Sequence, residues 1–233
     1  MKLELLASLN AERAARRAAV VVTDTASGEA RLIKAADLAM LPLAGTALGE
    51  AVASAIRQGK SMMTDVDGVK RFLTVYAPPV KLVVTGAVHI SQAMAPIARM
   101  LGLDITVVDP RTAFATAERF PDVALIADWP DAALPPLGID RYTAFVALTH
   151  DPKIDDPALE HALRAECFYI GALGSRKTHA GRVARLEAAG FAPDAIARIH
   201  APIGLDIGAI SPAEIAVAIL GEIIAALRKT AAR

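Results

Sequence analysis

From Val80 onward the apolar residues fall into short unbroken runs, separated by stretches in which they return every three or four positions. Runs at 81–85, 105–109, 123–127, 144–149 and 168–170 are too short for buried helices, and they predict strands. The spacing between them predicts helices near 89–100, 157–165 and 177–189. Unbroken apolar strands alternating with helices describe a parallel sheet covered on both faces.

Upstream the rhythm differs. The N-terminus predicts an amphipathic helix whose polar side carries Lys2, Glu4, Glu12, Arg13, Arg16 and Arg17, rather than a signal peptide. Strands are expected at 19–25 and 30–34 around the turn Ser27-Gly28, a helix at 48–58 and a strand at 70–76. Ala77-Pro78-Pro79 is the natural linker, because paired prolines stiffen a connection and donate nothing to a ladder. The fold class is therefore α/β: a small α+β domain over 1–76, then a parallel-sheet domain over 80–233.

The last helix announces itself with Ser211-Pro212-Ala213-Glu214, an N-cap, a proline at N1 and a capping-box glutamate. Its apolar residues, Ile215, Ile219, Ile223, Ile224 and Leu227 among them, cover more than one face, so deep packing and a dimer contact are both open. Glu214 and Glu222 argue against a membrane span.

With 54% hydrophobic against 21% charged residues, the chain can bury a sizeable core. Its 25 basic residues balance 25 acidic ones, which argues against nucleic acid as a partner. Cys167 is the only cysteine, so neither an internal disulfide framework nor a cysteine zinc cage is available. A cytoplasmic location is expected.

Two glycine turns carry the candidate chemistry. Gly86-Ala87-Val88-His89 follows the first strand of the sheet, where a dinucleotide fingerprint would place a second glycine at Val88. Asp109 closes the next strand, where an acid would meet a ribose hydroxyl, and Arg111 could suit a ribose phosphate. NAD(P) is thus an open possibility beside the bland reading of a tight turn and a capped loop. The second turn runs Gly171-Ala172-Leu173-Gly174-Ser175-Arg176-Lys177-Thr178. It aligns with a phosphate loop except that Arg176 takes the second glycine position, which argues against nucleotide hydrolysis. A general anion cradle remains, with backbone N–H groups at a helix start beside Arg176, Lys177 and Arg182.

Thr149-His150-Asp151-Pro152 leaves the carboxyl end of a strand, where open sheets of this kind place ligands, although Asp-Pro is also an ordinary turn starter. The segment from His200 to Gly208 brackets Asp206 with Gly204 and Gly208 and reads as a ligand-facing loop or a long return connection. His89, His150, His179 and His200 fall at strand exits or loops and His161 in a helix. No i,i+4 ligand pair exists, so no metal site is assigned.

These loops, taken together, resemble the XdhC/CoxI family of accessory factors for xanthine dehydrogenase and carbon monoxide dehydrogenase. The resemblance runs over about residues 80–228 and lies in Gly86, Ala87 and His89, in 107–111, in Leu148-Thr149-His150-Asp151-Pro152-Lys153, in 169–179 and in 202–208. It implies a Rossmann-like C-terminal domain that binds molybdenum cofactor, in its molybdopterin form, and delivers it to a molybdenum hydroxylase apoenzyme. A sulfurating cysteine desulfurase would be a further partner, and the protein a homo-oligomer. Val88 stands where many relatives carry glycine, and the N-terminal region lacks the family's Gly-Ser-x-Pro and Gly-Gly-Cys segments. In this reading Ser175, Arg176 and Lys177 hold the phosphate end of the cofactor. His150, Asp151 and Asp206 face its pterin or metal end, with the glycines at 204 and 208 as hinges. The expectation is a maturation factor without catalytic turnover. An NAD(P)-dependent oxidoreductase built on Gly86 and Asp109 and a non-catalytic dimerising module are the rivals.

Overall fold

The computed structural model describes residues 2–40 and 42–229. Two compact units divide them: one runs to Pro78 and takes in Arg228, and the other runs from Pro79 to Leu227.

In the first unit, helix α1 (Leu3–Ala14) precedes strands β1 (Ala19–Asp24) and β2 (Ala30–Lys34), a 3-10 turn (Ala35–Ala39), helix α2 (Ala47–Gln58) and strands β3 (Met62–Val66) and β4 (Val69–Tyr76). The strands form an antiparallel sheet in the order β2-β1-β4-β3. Strand β1 is apolar on both sides because both faces are covered. Val20 and Val22 pack with Leu48, Val52 and Ala55 of α2, whereas Ala19 and Val21 pack with Leu9 of α1. Glu12, buried on α1, accepts from Arg17 Nε at 2.6 Å and lies 3.1 Å from Lys34 Nζ. Strand β3 is not evident from the sequence: Met62-Met63-Thr64-Asp65 is poor in strongly strand-forming residues, and its pairing with β4 supplies what propensity does not.

The second unit is a doubly wound sheet. Its elements are β5 (Lys81–Thr85), α3 (His89–Met100), β6 (Asp104–Val108), β7 (Ala124–Ile126), α4 (Pro130–Leu137), β8 (Thr143–Ala147), α5 (Pro152–Arg164), β9 (Tyr169–Ala172), α6 (Arg176–Ala188), α7 (Pro193–Ile196), β10 (Ile199–His200) and α8 (Pro212–Lys229). Every strand pair is parallel, in the order β10-β9-β8-β5-β6-β7. The chain winds outward from β5 to β7, returns to β8 on the other side and winds outward again. The switch point therefore lies between β5 and β8, where such sheets open a ligand crevice at their carboxyl ends. Leu82 and Val84 face α3 and α8, while Val83 and Phe145 face α4, α5 and α6.

The boundaries differ from the sequence expectation in instructive places. Helix α5 begins at Pro152, capped by Asp151, and carries Pro157 inside it. Sequence places its start at the later proline, because both are acceptable at N1. Helix α4 is not expected from the sequence, since Pro135 and Pro136 read as breakers. It is short, and Pro130, Ala133 and Leu134 are buried in the core. Helix α8 begins as expected: Glu214 Oε2 accepts from the N–H groups of Ile210 (2.8 Å) and Ser211 (2.9 Å), and Ser211 Oγ accepts from Glu214 N–H. Its inner face is buried through Ala216, Ile219, Leu220 and Ile223, which satisfies the deep-packing alternative. Among the described residues, no helix is long and apolar enough to cross a membrane.

Candidate functional site

The two glycine turns meet very different fates. In the β5–α3 turn Gly86 adopts φ +114°, and a β-carbon there would lie 3.1 Å from Thr149 Cγ2 and 3.3 Å from Leu148. Only glycine lets the turn approach the β8 exit this closely. The amides that a pyrophosphate would need are already used. Gly86 N–H donates to Val108 O at 2.9 Å, Ala87 N–H to Asp109 Oδ2 at 2.7 Å and Val88 N–H to Ser91 Oγ at 3.0 Å. Arg119 Nη1 closes the other side by donating to Ala87 O at 3.0 Å.

Asp109 is completely buried and serves its own chain. Besides Ala87 it accepts from Arg111 N–H (2.9 Å), Arg111 Nε (2.9 Å) and Arg111 Nη2 (2.7 Å). Burial pushes its pKa up, but Arg111 and the two amides outweigh that and hold it below the ordinary aspartate value. The acid and the arginine that suggested a ribose or its phosphate thus bind each other. His89 is exposed at the first position of α3.

The β9–α6 turn is open instead. Ser175 caps α6, its Oγ accepting from Thr178 N–H at 3.2 Å and lying 3.0 Å from Thr178 Oγ1. Gly174, at φ +138°, leaves only 3.1 Å between a would-be β-carbon and Thr178. Beyond the cap, the N–H groups of Arg176 and Lys177 make no hydrogen bond among the described residues, and neither does either side chain. Both residues are exposed. Free donors at a helix start with unpaired cations beside them are an anion-receptive surface.

Across from it, the β8–α5 turn is rigidly built. His150 has φ +61°, and Asp155, only 1% exposed, accepts from Thr149 Oγ1 (2.7 Å), Thr149 N–H (3.3 Å) and His150 N–H (3.0 Å). Burial pushes the Asp155 pKa up, partly opposed by those donors and by the charge of Arg182. Asp151 spends its carboxylate on Lys153 N–H at 2.9 Å, and the His150 side chain stays exposed. The first turns of α5 and α6 flank a cleft of about 290 Å³ lined by His150, Asp155, Lys177, Thr178 and Arg182, among others. Asp155 escapes sequence reasoning, although its place four residues after the Asp151 cap is a signal that could flag it. Arg182, which reads in the sequence only as one of the cations beside the α6 start, is buried at the same cleft.

Three remaining candidates lie elsewhere. Gly171 belongs to strand β9, not to the loop: it pairs with Val146 and His200. A β-carbon there would come within 2.4 Å of Ile203 Cδ1 and 2.8 Å of the Tyr169 hydroxyl. Gly204 is a packing position rather than a hinge. Its N–H donates to Glu222 Oε2 at 2.8 Å, and a β-carbon would lie 3.2 Å from Ala218 and Ile219 N of α8. The same Glu222 accepts from the Tyr169 hydroxyl at 2.6 Å and lies 2.9 Å from His200 Nδ1, so it moors the start of the 200–208 loop. Asp206 is exposed farther along that loop, and Gly208 has open space around it. No group of histidine, cysteine and acidic residues among the described residues could hold a metal ion.

Cys167 is 1% exposed, and burial pushes its thiol up to about 12, so it carries almost no thiolate at neutral pH. A maleimide is expected to leave the folded protein unlabelled over a time that fully labels the urea-unfolded chain. Stoichiometric labelling of the folded protein would contradict this.

These features define a doubly wound α/β protein whose first nucleotide-type turn is closed by its own side chains and whose second is open to an anion. The chain belongs to the XdhC family: the model of the XdhC Rossmann domain matches residues 82–223. It is 36% identical over 155 residues to the uncharacterized protein YqeB of Escherichia coli, covering 66% of this chain and 28% of that one. It is 30% identical over 148 residues to the molybdenum cofactor insertion chaperone PaoD of E. coli (64% and 40%). A protein of Bacillus subtilis named as a probable xanthine dehydrogenase component matches at 31% over 161 residues (69% and 47%). The matched region thus spans less than half of each relative. A crystal structure of a xanthine dehydrogenase from Bacillus halodurans superposes with a TM-score of 0.64 at 24% identity, over 98% of this chain and 66% of that one, and shares the fold.

Proposed function

We propose that this protein binds molybdenum cofactor and delivers it to a xanthine dehydrogenase-type molybdenum hydroxylase, acting as a maturation factor without turnover of its own. The observation that carries this reading is the contrast between the two turns. A nicotinamide dinucleotide would need the β5–α3 amides, which Asp109 and Ser91 occupy. The α6 start, by contrast, keeps its donors and cations free. PaoD, a relative, is named for molybdenum cofactor insertion, and the B. subtilis relative is named as part of a xanthine dehydrogenase.

When bound, the cofactor would bring the redox-active metal centre that the hydroxylase needs. This chain's residues would hold and release it. The turn at Gly174, Ser175, Arg176 and Lys177 receives the anionic end, and His150 and Asp151 stand at the facing turn. Asp206, exposed on the loop beyond Gly204, would meet the cofactor only if it reaches past the cleft. The buried Cys167 is unsuited to carry sulfur, so sulfuration would fall to a separate persulfide donor such as a cysteine desulfurase. Protein purified from cells that synthesise the cofactor is expected to carry molybdenum by elemental analysis, together with oxidised pterin derivatives. Absence of both alongside saturable NAD(P) binding would overturn the reading.

A further inference from the structure

Arg182 is the most anomalous side chain in the second unit. It is 2% exposed and lies on the second turn of α6, at the α5–α6 cleft. One nitrogen, Nη2, donates to Leu173 O at 3.1 Å. Its Nε and Nη1 are buried with no hydrogen-bond partner. Burial pulls its pKa down while Asp155 and Asp156 oppose the shift, so a desolvated cation sits with two donors unspent. An arrangement of this kind costs stability unless something fills it.

The other charges of the cleft are mostly committed. Arg185 and Asp156 bond to each other through both guanidinium and carboxylate edges. Asp155 already accepts from the 149–150 turn. What remains with donors unspent, despite the nearby charges of Asp155 and Asp156, is Arg182 below and Lys177 at the rim, beside the unspent α6 amides. We infer that this cleft is a phosphomonoester subsite in which Arg182 is the buried anchor, with Lys177 and the α6 N-terminus completing the contacts. A tetrahedral dianion matches this set because it offers acceptors in several directions and carries no donor that would compete. The inference deepens the cofactor reading, on which the identity of the natural ligand rests, since molybdopterin ends in such a phosphate. It also moves the phosphate contact inward from Ser175 and Arg176 to Arg182 and Lys177.

Gly181 provides a decisive variant. A β-carbon there meets only Arg185 Nη1, at 3.5 Å, so Gly181→Glu fits the helix while placing a carboxylate in the cleft. The probes are inorganic phosphate and phenyl phosphate, titrated calorimetrically and by thermal shift against chloride at matched ionic strength. The wild type is expected to bind both. Lys177→Ala is expected to bind about tenfold more weakly, and Gly181→Glu and Arg182→Gln are expected not to bind detectably. If Arg182→Gln does not fold, the glutamate and alanine variants decide alone. No phosphate effect beyond chloride in the wild type, or equal binding by wild type, Lys177→Ala and Gly181→Glu, overturns the subsite. The two readings fail separately. Phosphate binding without co-purified pterin leaves the subsite standing and removes the cofactor, whereas pterin retained equally by Gly181→Glu does the reverse.

Discussion

Gly171→Val is expected to destabilise the second unit by about 3–5 kcal/mol, a large share of the 5–15 kcal/mol that a domain of this kind has in total. The first part of the loss is overpacking. A β-carbon alone would stand 2.4 Å and 2.7 Å from Ile203 side-chain atoms and 2.8 Å from the Tyr169 hydroxyl. A branched side chain in a strand buried between β8 and β10 has nowhere to go. The second part is electrostatic, because displacing Tyr169 breaks its 2.6 Å bond to Glu222, which also holds Gly204. Gly171→Ala should lose less, about 1–3 kcal/mol, since Ile203 can turn away from one methyl. Urea unfolding followed by fluorescence checks this, because Trp129, the single tryptophan, lies in the second unit. A valine variant within about 0.5 kcal/mol of wild type would refute the packing account.

Asp109→Ala is the second large effect, expected at about 2–4 kcal/mol. Removal of the carboxylate strands the Ala87 N–H in a buried turn and takes from Arg111 the partner that holds its guanidinium at 2.7 Å and 2.9 Å. Asp109→Asn should lose less, because the amide oxygen can still accept from one of them. The pH dependence has a definite sign. The folded pKa lies below the unfolded one, so the carboxylate's contribution is complete above the ordinary aspartate range and fades as pH falls through and below it. Asp109→Asn should flatten that part of the acid limb. An unchanged acid limb, or a variant as stable as wild type, would show that the buried pair does not secure the turn.

The second prediction bears on how function can be read from such turns. Asp109 and Gly86 stand where a dinucleotide fingerprint would have them, and the strand-turn-helix geometry around them is as expected. Whether the site can receive a pyrophosphate depends on where three N–H groups point their bonds, and that is decided by Val108, Asp109 and Ser91. Spacing along the chain carries no information on that point. Gly171 and Gly204 teach the same lesson from the opposite side. Each has the sequence setting of a ligand-facing loop glycine, and each is glycine because another element lies against it.

Hydrophobic periodicity was sufficient for the class of the fold: five of the six strands of the parallel sheet, all but the two-residue β10, the covered faces, the capped start of α8 and the change of rhythm near Pro78 and Pro79. Those features are legible because burial on two faces imposes local patterns of period two, three and four, or unbroken apolarity, on the residues themselves. The tertiary structure alone decided the strand order with its switch point, the closing of the first turn, and the buried Arg182 and Asp155 beside the second. Such features arise from residues far apart in sequence that compete for the same donors, acceptors and space. Only the folded chain shows which of them are satisfied and which, like Nε and Nη1 of Arg182, are buried without a hydrogen bond.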